Sequence, residues 1–193
     1  MTPIFETVLA VMLTCLPLVS AADAPPLSKG DPTPAPPTRT MEVKLPKNAW
    51  ESSHANAMKV GDWIEVEMTL VQGTRMHQEC VEVGDHYTVI LVRSAIGGRQ
   101  MEQKIKSLYT EANPDEDEAA KLRKEQNIEI KDIDDKVKVK DKEVSAKRHE
   151  IYQNGKLTSR SWISAEIPMG GQLKTESADG KVVTQITDFG FGK

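Results

Sequence analysis

From Met41 onward, apolar and polar residues alternate with period two, the spacing of side chains along a strand. In VGDWIEVEMTLV (60–71), Ile64, Val66, Met68 and Leu70 fall on one face, and Glu65, Glu67 and Thr69 on the other. That is the pattern of a half-buried strand. RMHQECVEV (75–83) and HYTVILVRSAI (86–96) follow, separated by Gly84-Asp85, and read as an antiparallel meander with tight turns. The third run is apolar on both faces around Val89–Val92, which predicts a central strand. IEIKDIDDKVKVKDKEV (128–144) alternates Ile128, Ile130, Val137 and Val139 with Lys and Asp. Its balanced charges fit either a docking surface or a solvated face whose lysines discourage edge pairing. KRHEIYQNGKLTSRSWIS (147–164) holds Asn154-Gly155, the preferred pair for a type I′ hairpin turn. GQLKTESADGKVVTQITDFG (171–190) predicts a second hairpin of the same design at Asp179-Gly180, so four strands close the chain.

Two segments depart from this alternation. QMEQKIKSLY (100–109) fits strand or helix. NPDEDEAAKLRKEQN (113–127) predicts a short helix over 114–126: Asn113 or Asp115 can cap it, and Pro114 suits its first turn. Acids lead and Lys121, Arg123 and Lys124 trail, as the helix dipole favours. Its apolar residues are only Ala119, Ala120 and Leu122, so it should be exposed and lightly attached. In WISAEIPMGG (162–171) the glycine pair precedes QLKTES, an alternating run. A phosphate-binding loop needs a helix N-terminus after its glycines. Pro168 and Gly170-Gly171 therefore read as a corner between strands. The expected fold is mainly β with one short helix: a curved antiparallel sheet, half-barrel-like, over residues 41–193.

The N-terminus differs in kind. VLAVMLTCLPLV (8–19) is uncharged, too short to span a bilayer, and ends at Val19-Ser20-Ala21, a small-residue cleavage site. Ala22-Asp23-Ala24 offers a second site, while the stretch before the run lacks Lys and Arg and holds Glu6. The reading is a signal peptide over 1–21; its alternative is a buried apolar segment. An exported chain follows, periplasmic or extracellular, with no transmembrane span once mature. Lipid attachment at Cys15 is disfavoured, because Thr14 stands where a small residue belongs. Removal of Cys15 would leave Cys80 alone, so the fold must stand without an internal disulfide. APPLSKGDPTPAPPTR (24–39) is proline-rich and almost free of apolar partners, which places an extended linker over 22–40. The net charge of −4, from 25 basic and 29 acidic residues, gives no basic field and excludes nucleic acid as the expected partner.

The C-terminal run EIYQNGKLTSRSWISAEIPMGGQLKTESADGKVVTQITDFG, with VGDWIEVEM upstream, resembles a class of exported bacterial β-rich domains. Their signature is Trp-aliphatic-Ser-x-x-Ile/Val-Pro-x-Gly-Gly-x-aliphatic-Lys, matched here by Trp162 to Lys174. The arrangement is distantly similar to periplasmic lipoprotein-carrier domains. That similarity implies a long curved antiparallel sheet, wrapped partway round a helix, with an apolar concave face. It implies no catalytic residue.

Chemistry-bearing clusters are sparse. His77 and Cys80 would share one face of a helix but not of a strand, and no CxxC or HExxH accompanies them. No metal or cofactor is expected. No Gly-x-Ser-x-Gly occurs, and Ser164 lies in a strand, so a hydrolase is a distant reading. Trp63 and Trp162 occupy comparable points of two strands, as a ligand platform or as packing. The expected ligand-binding residues are Trp63, Ile64, Val66, Met68, Leu70, Leu91 and Trp162. The leading functional reading is a non-enzymatic module holding an apolar, lipid-like ligand in the envelope. The alternative is a tethered interaction protein whose partner is another envelope protein.

Overall fold

The alternating runs build a single open, curved sheet of ten strands in the computed structural model, which describes residues 38–52, 57–69, 74–96, 99–113 and 115–193. The expected signal peptide with Cys15, all but the end of the linker, and Leu70 lie outside the described residues. The strands are β1 (Arg39–Pro46), β2 (Trp63–Met68), β3 (Thr74–Gly84), β4 (Tyr87–Ile96), β5 (Arg99–Glu111), β6 (Ile128–Val139), β7 (Lys142–Gln153), β8 (Lys156–Ile163), β9 (Gln172–Ser177) and β10 (Val182–Gly190). Their spatial order is β1-β5-β4-β3-β2-β10-β9-β8-β7-β6. Two meanders, β2–β5 and β6–β10, are thus joined by antiparallel pairing of β2 with β10. As its apolar faces require, β4 lies inside the sheet between β3 and β5, with Val89, Ile90 and Leu91 all buried. The ambiguous 100–109 segment is strand, within β5.

Three expectations change. First, β1 runs parallel to β5, because the chain reaches it by a long crossover rather than a hairpin. Second, the described residues form two short helices. Besides α2 (Glu116–Glu125) there is α1 (Asn48–Ser52), whose five residues are too few to show helical periodicity in the sequence. Ala49 of α1 is fully buried, and Trp50 meets Tyr109 edge-on at 5.1 Å. α2 has no buried residue; Asp115 caps it by accepting from the Asp117 and Glu118 N–H groups, while Asn113 accepts from Asn48 N instead. Third, the two late turns differ. Asn154 (φ 53°) and Gly155 (φ 72°) form the expected type I′ turn. At the second, only Gly180 is left-handed (φ 82°), and Ser177 N–H donates to the Lys181 carbonyl. That longer loop combines an ordinary turn with a left-handed glycine, and Asp179 instead takes hydrogen bonds from Ser177 Oγ and Lys181 N.

The glycine pair is a corner. Met169, Gly170 and Gly171 all have positive φ, Ser164 N–H donates to the Gly171 carbonyl at 2.8 Å, and β9 begins at the next residue. Register shifts at Ile151/Tyr152, Trp162/Ile163, Val182/Thr184 and Ile186/Asp188 bend the second meander. The curl brings the β6–β7 turn back to β10, where Lys140 pairs with Asp188 and Lys142 Nζ sits 4.9 Å from the Phe189 ring centre. Inside it lies one apolar cluster, including Ile64, Val144, Trp162, Leu173, Ile186 and Phe189.

Candidate functional site

Register assigns the β1–β5 side chains to two faces. On the first, Ile64, Val66 and Met68 of β2 stand opposite Gln78, Met76 and Thr74 of β3. The same face continues through Cys80, Ile90 and Ile105 to Met41 of β1, and through Thr88, Ser107 and Val43 beside it. It is apolar, with small hydroxyls interspersed, and buried at Cys80, Thr88, Ile90, Ile105 and Ser107. α1 packs on β1 and β5 at its Tyr109 end.

Two hydroxyls on this face stand out. Thr74 Oγ1 and Thr88 Oγ1 are buried, the residues being 1% and 0% exposed, and have no hydrogen-bond partner among the described residues. A desolvated hydroxyl without a partner costs on the order of 1–3 kcal/mol. They lie near opposite ends of the face, roughly 27 Å apart at strand rise.

The opposite face carries Trp63, Glu65, His77, Glu79, Leu91 and Arg93. Trp63 stacks on His77 at 5.6 Å, and its indole occupies the space a side chain at Gly190 would need. His77 lies between Glu65 and Glu79, and Arg93 between Glu79 and Glu102. Leu91 is 7% exposed, on the charged face rather than beside Ile64.

The expected ligand residues therefore do not converge as one set. Ile64, Val66 and Met68 share the apolar face, and Ile64 and Val66 also belong to the second meander's cluster. Trp63 and Leu91 lie behind it. Trp162 is buried in the β6–β10 cluster, where its Nε1–H donates to Asp135 at 2.9 Å and Lys174 Nζ lies 4.9 Å from its ring centre. His77 and Cys80 take opposite faces, as strand geometry requires, and among the described residues no cluster of His, Cys, Asp and Glu could hold a metal ion. Burial, with the Asp62 carboxylate nearby, pushes the Cys80 thiol up to about 11.

Around Trp162 an ion-pair network crosses β6 to β9. Arg148 bonds Asp135 at 3.0 Å, Arg148 and Arg160 flank Glu150, and Arg160 and Lys174 flank Glu176. The Trp162 indole, then the Lys136 N–H and Arg148, hold Asp135 below the ordinary carboxylate range. The Tyr152 hydroxyl, then Arg160 and Arg148, do the same for Glu150. Three acids and three bases cancel, so this network is a scaffold rather than an ion site. A second polar tie fixes the chain end: Asp62 accepts from Lys59 N and Gly192 N, both at 2.8 Å, and its carbonyl accepts from Cys80 N.

Sequence reasoning missed the two threonines and this network. Thr74 and Thr88 sit in phase with the apolar positions of their strands, which was the available signal; the network depends on cross-strand register. Compared with known proteins, the chain matches no family model, no curated protein and no solved structure.

Proposed function

We propose that this chain is an exported, non-enzymatic binding domain that holds an apolar, lipid-like ligand in the cell envelope, seated on the apolar face of β1–β5. One observation carries this reading: two buried hydroxyls, Thr74 and Thr88, without partners among the described residues, on one apolar face. Evolution of a purely structural face favours valine at such positions, since a hydroxyl there costs stability and returns nothing. A ligand with an acyl chain and a polar end answers both features. Its chain gains roughly 0.8 kcal/mol per buried CH₂, and its polar group completes a threonine bond. This half is favoured because the two unmet hydroxyls stand on it, whereas the β6–β10 half is packed around Trp162.

That filled half favours a second reading, a tethered interaction protein. Native mass spectrometry of protein purified from its own envelope separates the two, together with displacement of a fluorescent fatty acid. A bound lipid-like mass, released by organic extraction, is expected. A clean ligand-free mass with no fatty-acid binding refutes the binding reading and leaves the tethered one. Export is checked separately by N-terminal sequencing of material recovered outside the cytoplasm. The expected first residue is Ala22; an intact Met1 or a lipid on Cys15 refutes it.

A further inference from the structure

The charges of β6 are ordered, not merely mixed. Asp132, Asp134, Lys136 and Lys138 are spaced two apart, so they project from one face of the strand, and all four are exposed. Acids come first and bases second. β6 is also the last strand of the sheet, paired with β7 on one side only among the described residues. An unpaired edge offers its backbone groups to another strand.

We propose that β6 is a self-association edge, which pairs antiparallel with β6 of a second copy of this chain in a register centred on Asp135. In that register Asp132 faces Lys138 of the second copy, and Asp134 faces its Lys136. The twofold axis repeats both pairs, giving four cross-strand ion pairs from four residues. Ile133, 37% exposed in the single chain, comes to face Val137. Moving the centre to Asp134 or to Lys136 sets that residue against its own copy, like charge on like charge. The pattern therefore selects one register and disfavours its neighbours. The existing contacts extend the same alternation. Asp132 already meets His149 Nδ1 at 2.6 Å, and Lys136 meets Glu143 at 2.6 Å. A row running Glu143, Lys136, Asp134 of the copy, then Lys147 of the copy, alternates in sign across four strands. Asp135 at the centre does not repel its counterpart. Its carboxylate is turned to Trp162 and Arg148, away from the edge, and Arg148 neutralises it.

Sedimentation equilibrium of the full chain over a concentration series tests this, at low salt and at about 1 M salt, where the screening length is ~3 Å. A monomer–dimer equilibrium weakened by salt is expected. Lys136→Glu with Lys138→Glu makes the edge wholly acidic; Asp132→Lys with Asp134→Lys makes it wholly basic. Each double variant alone should dissociate at least about tenfold more readily, from the loss of four ordinary cross-strand pairs. An equal mixture of the two should restore the dimer. A wild-type chain monomeric at every concentration overturns the proposal. So do a dimer that survives in both variants and a mixture that stays monomeric. Should a charge variant not fold, cysteine pairing decides: in a Cys15→Ser background, Asp134→Cys mixed with Lys136→Cys should cross-link on oxidation faster than either chain alone. Equal rates overturn the proposal.

Discussion

Gly155 and Gly171 have the same backbone φ, 72°, yet alanine should be tolerated very differently at the two positions. At Gly155, in the exposed β7–β8 turn, an added Cβ meets nothing within 4 Å. Gly155→Ala then costs only the left-handed strain of an L-residue, about 1 kcal/mol, partly offset by a less flexible unfolded chain. At Gly171 the same Cβ lies 2.0 Å from the Ser164 carbonyl oxygen. That atom is backbone, and Ser164 is also the residue whose N–H donates to the Gly171 carbonyl at 2.8 Å. The corner must open to admit the methyl group. Opening it leaves a buried N–H unpaired, which adds about 1–3 kcal/mol to the same strain. With a urea slope of about 2 kcal/mol per molar, Gly171→Ala should lower the unfolding midpoint by roughly 1–2 M, and Gly155→Ala by less than about 0.5 M. Urea titration followed by circular dichroism measures both. Equal shifts would refute the reasoning, because strain alone would then account for both sites. A β-branched residue sharpens the control: Gly155→Val should cost on the order of 1–3 kcal/mol, from strain without a clash.

Thr88→Val should raise the melting temperature of ligand-free protein by removing a desolvated hydroxyl worth about 1 kcal/mol, and should weaken fatty-acid binding; a destabilised variant would show that the hydroxyl has a partner. Asp135 and Glu150 have lowered folded pKa values, so the stability they supply is fully present above the unfolded value of about 4 and is lost as pH falls through the folded one. Acid titration of Asp135→Asn should therefore show a less stable protein at neutral pH with a flatter loss below about pH 4, and an unchanged acid limb would remove Asp135 from the account. Cys80 is fully buried with its thiol at about 11, so in a Cys15→Ser chain it should react with a thiol reagent at pH 8 only as fast as the protein unfolds. Rapid stoichiometric labelling of the native chain would contradict its placement.

Local pattern carried much of this fold. Period-two alternation located β2, β3 and β4; Asn154-Gly155 located a type I′ turn; and Asp115 with its acidic first turn located α2. Each is a signal within a few residues. What stayed hidden depends on residues far apart in the chain. α1 is one turn whose reason to exist is the burial of Ala49 against strands it meets only after folding. The parallel pairing of β1 with β5 joins residues about sixty positions apart. Leu91 shows the limit most clearly. In a strand apolar on both sides, alternation cannot say which of Val89-Leu91 and Ile90-Val92 faces Ile64. Pairing of Leu91 with Glu79 and of Val92 with Gln78 decides it, and puts Leu91 behind the expected site.

The two meanders bury their apolar faces by different means, and the difference bears on where the proposed ligand would sit. In β6–β10, closely spaced register shifts curl the sheet until the β6–β7 turn is tied to β10 through Lys140 and Asp188. The enclosed space is then narrow enough for Trp162, Leu173 and Phe189 to fill. The β2–β5 meander has a single shift, between Cys80 and Glu82. Among the described helices, α1 contributes one alanine and one tryptophan at one end of the meander's apolar face. α2, which could have served as a plug, has no buried residue and meets β6 instead. The apolar face of β1–β5 is also the one that keeps two buried hydroxyls without partners among the described residues. An apolar face and unmet hydrogen bonding thus coincide on β1–β5, which fits the proposed amphipathic ligand.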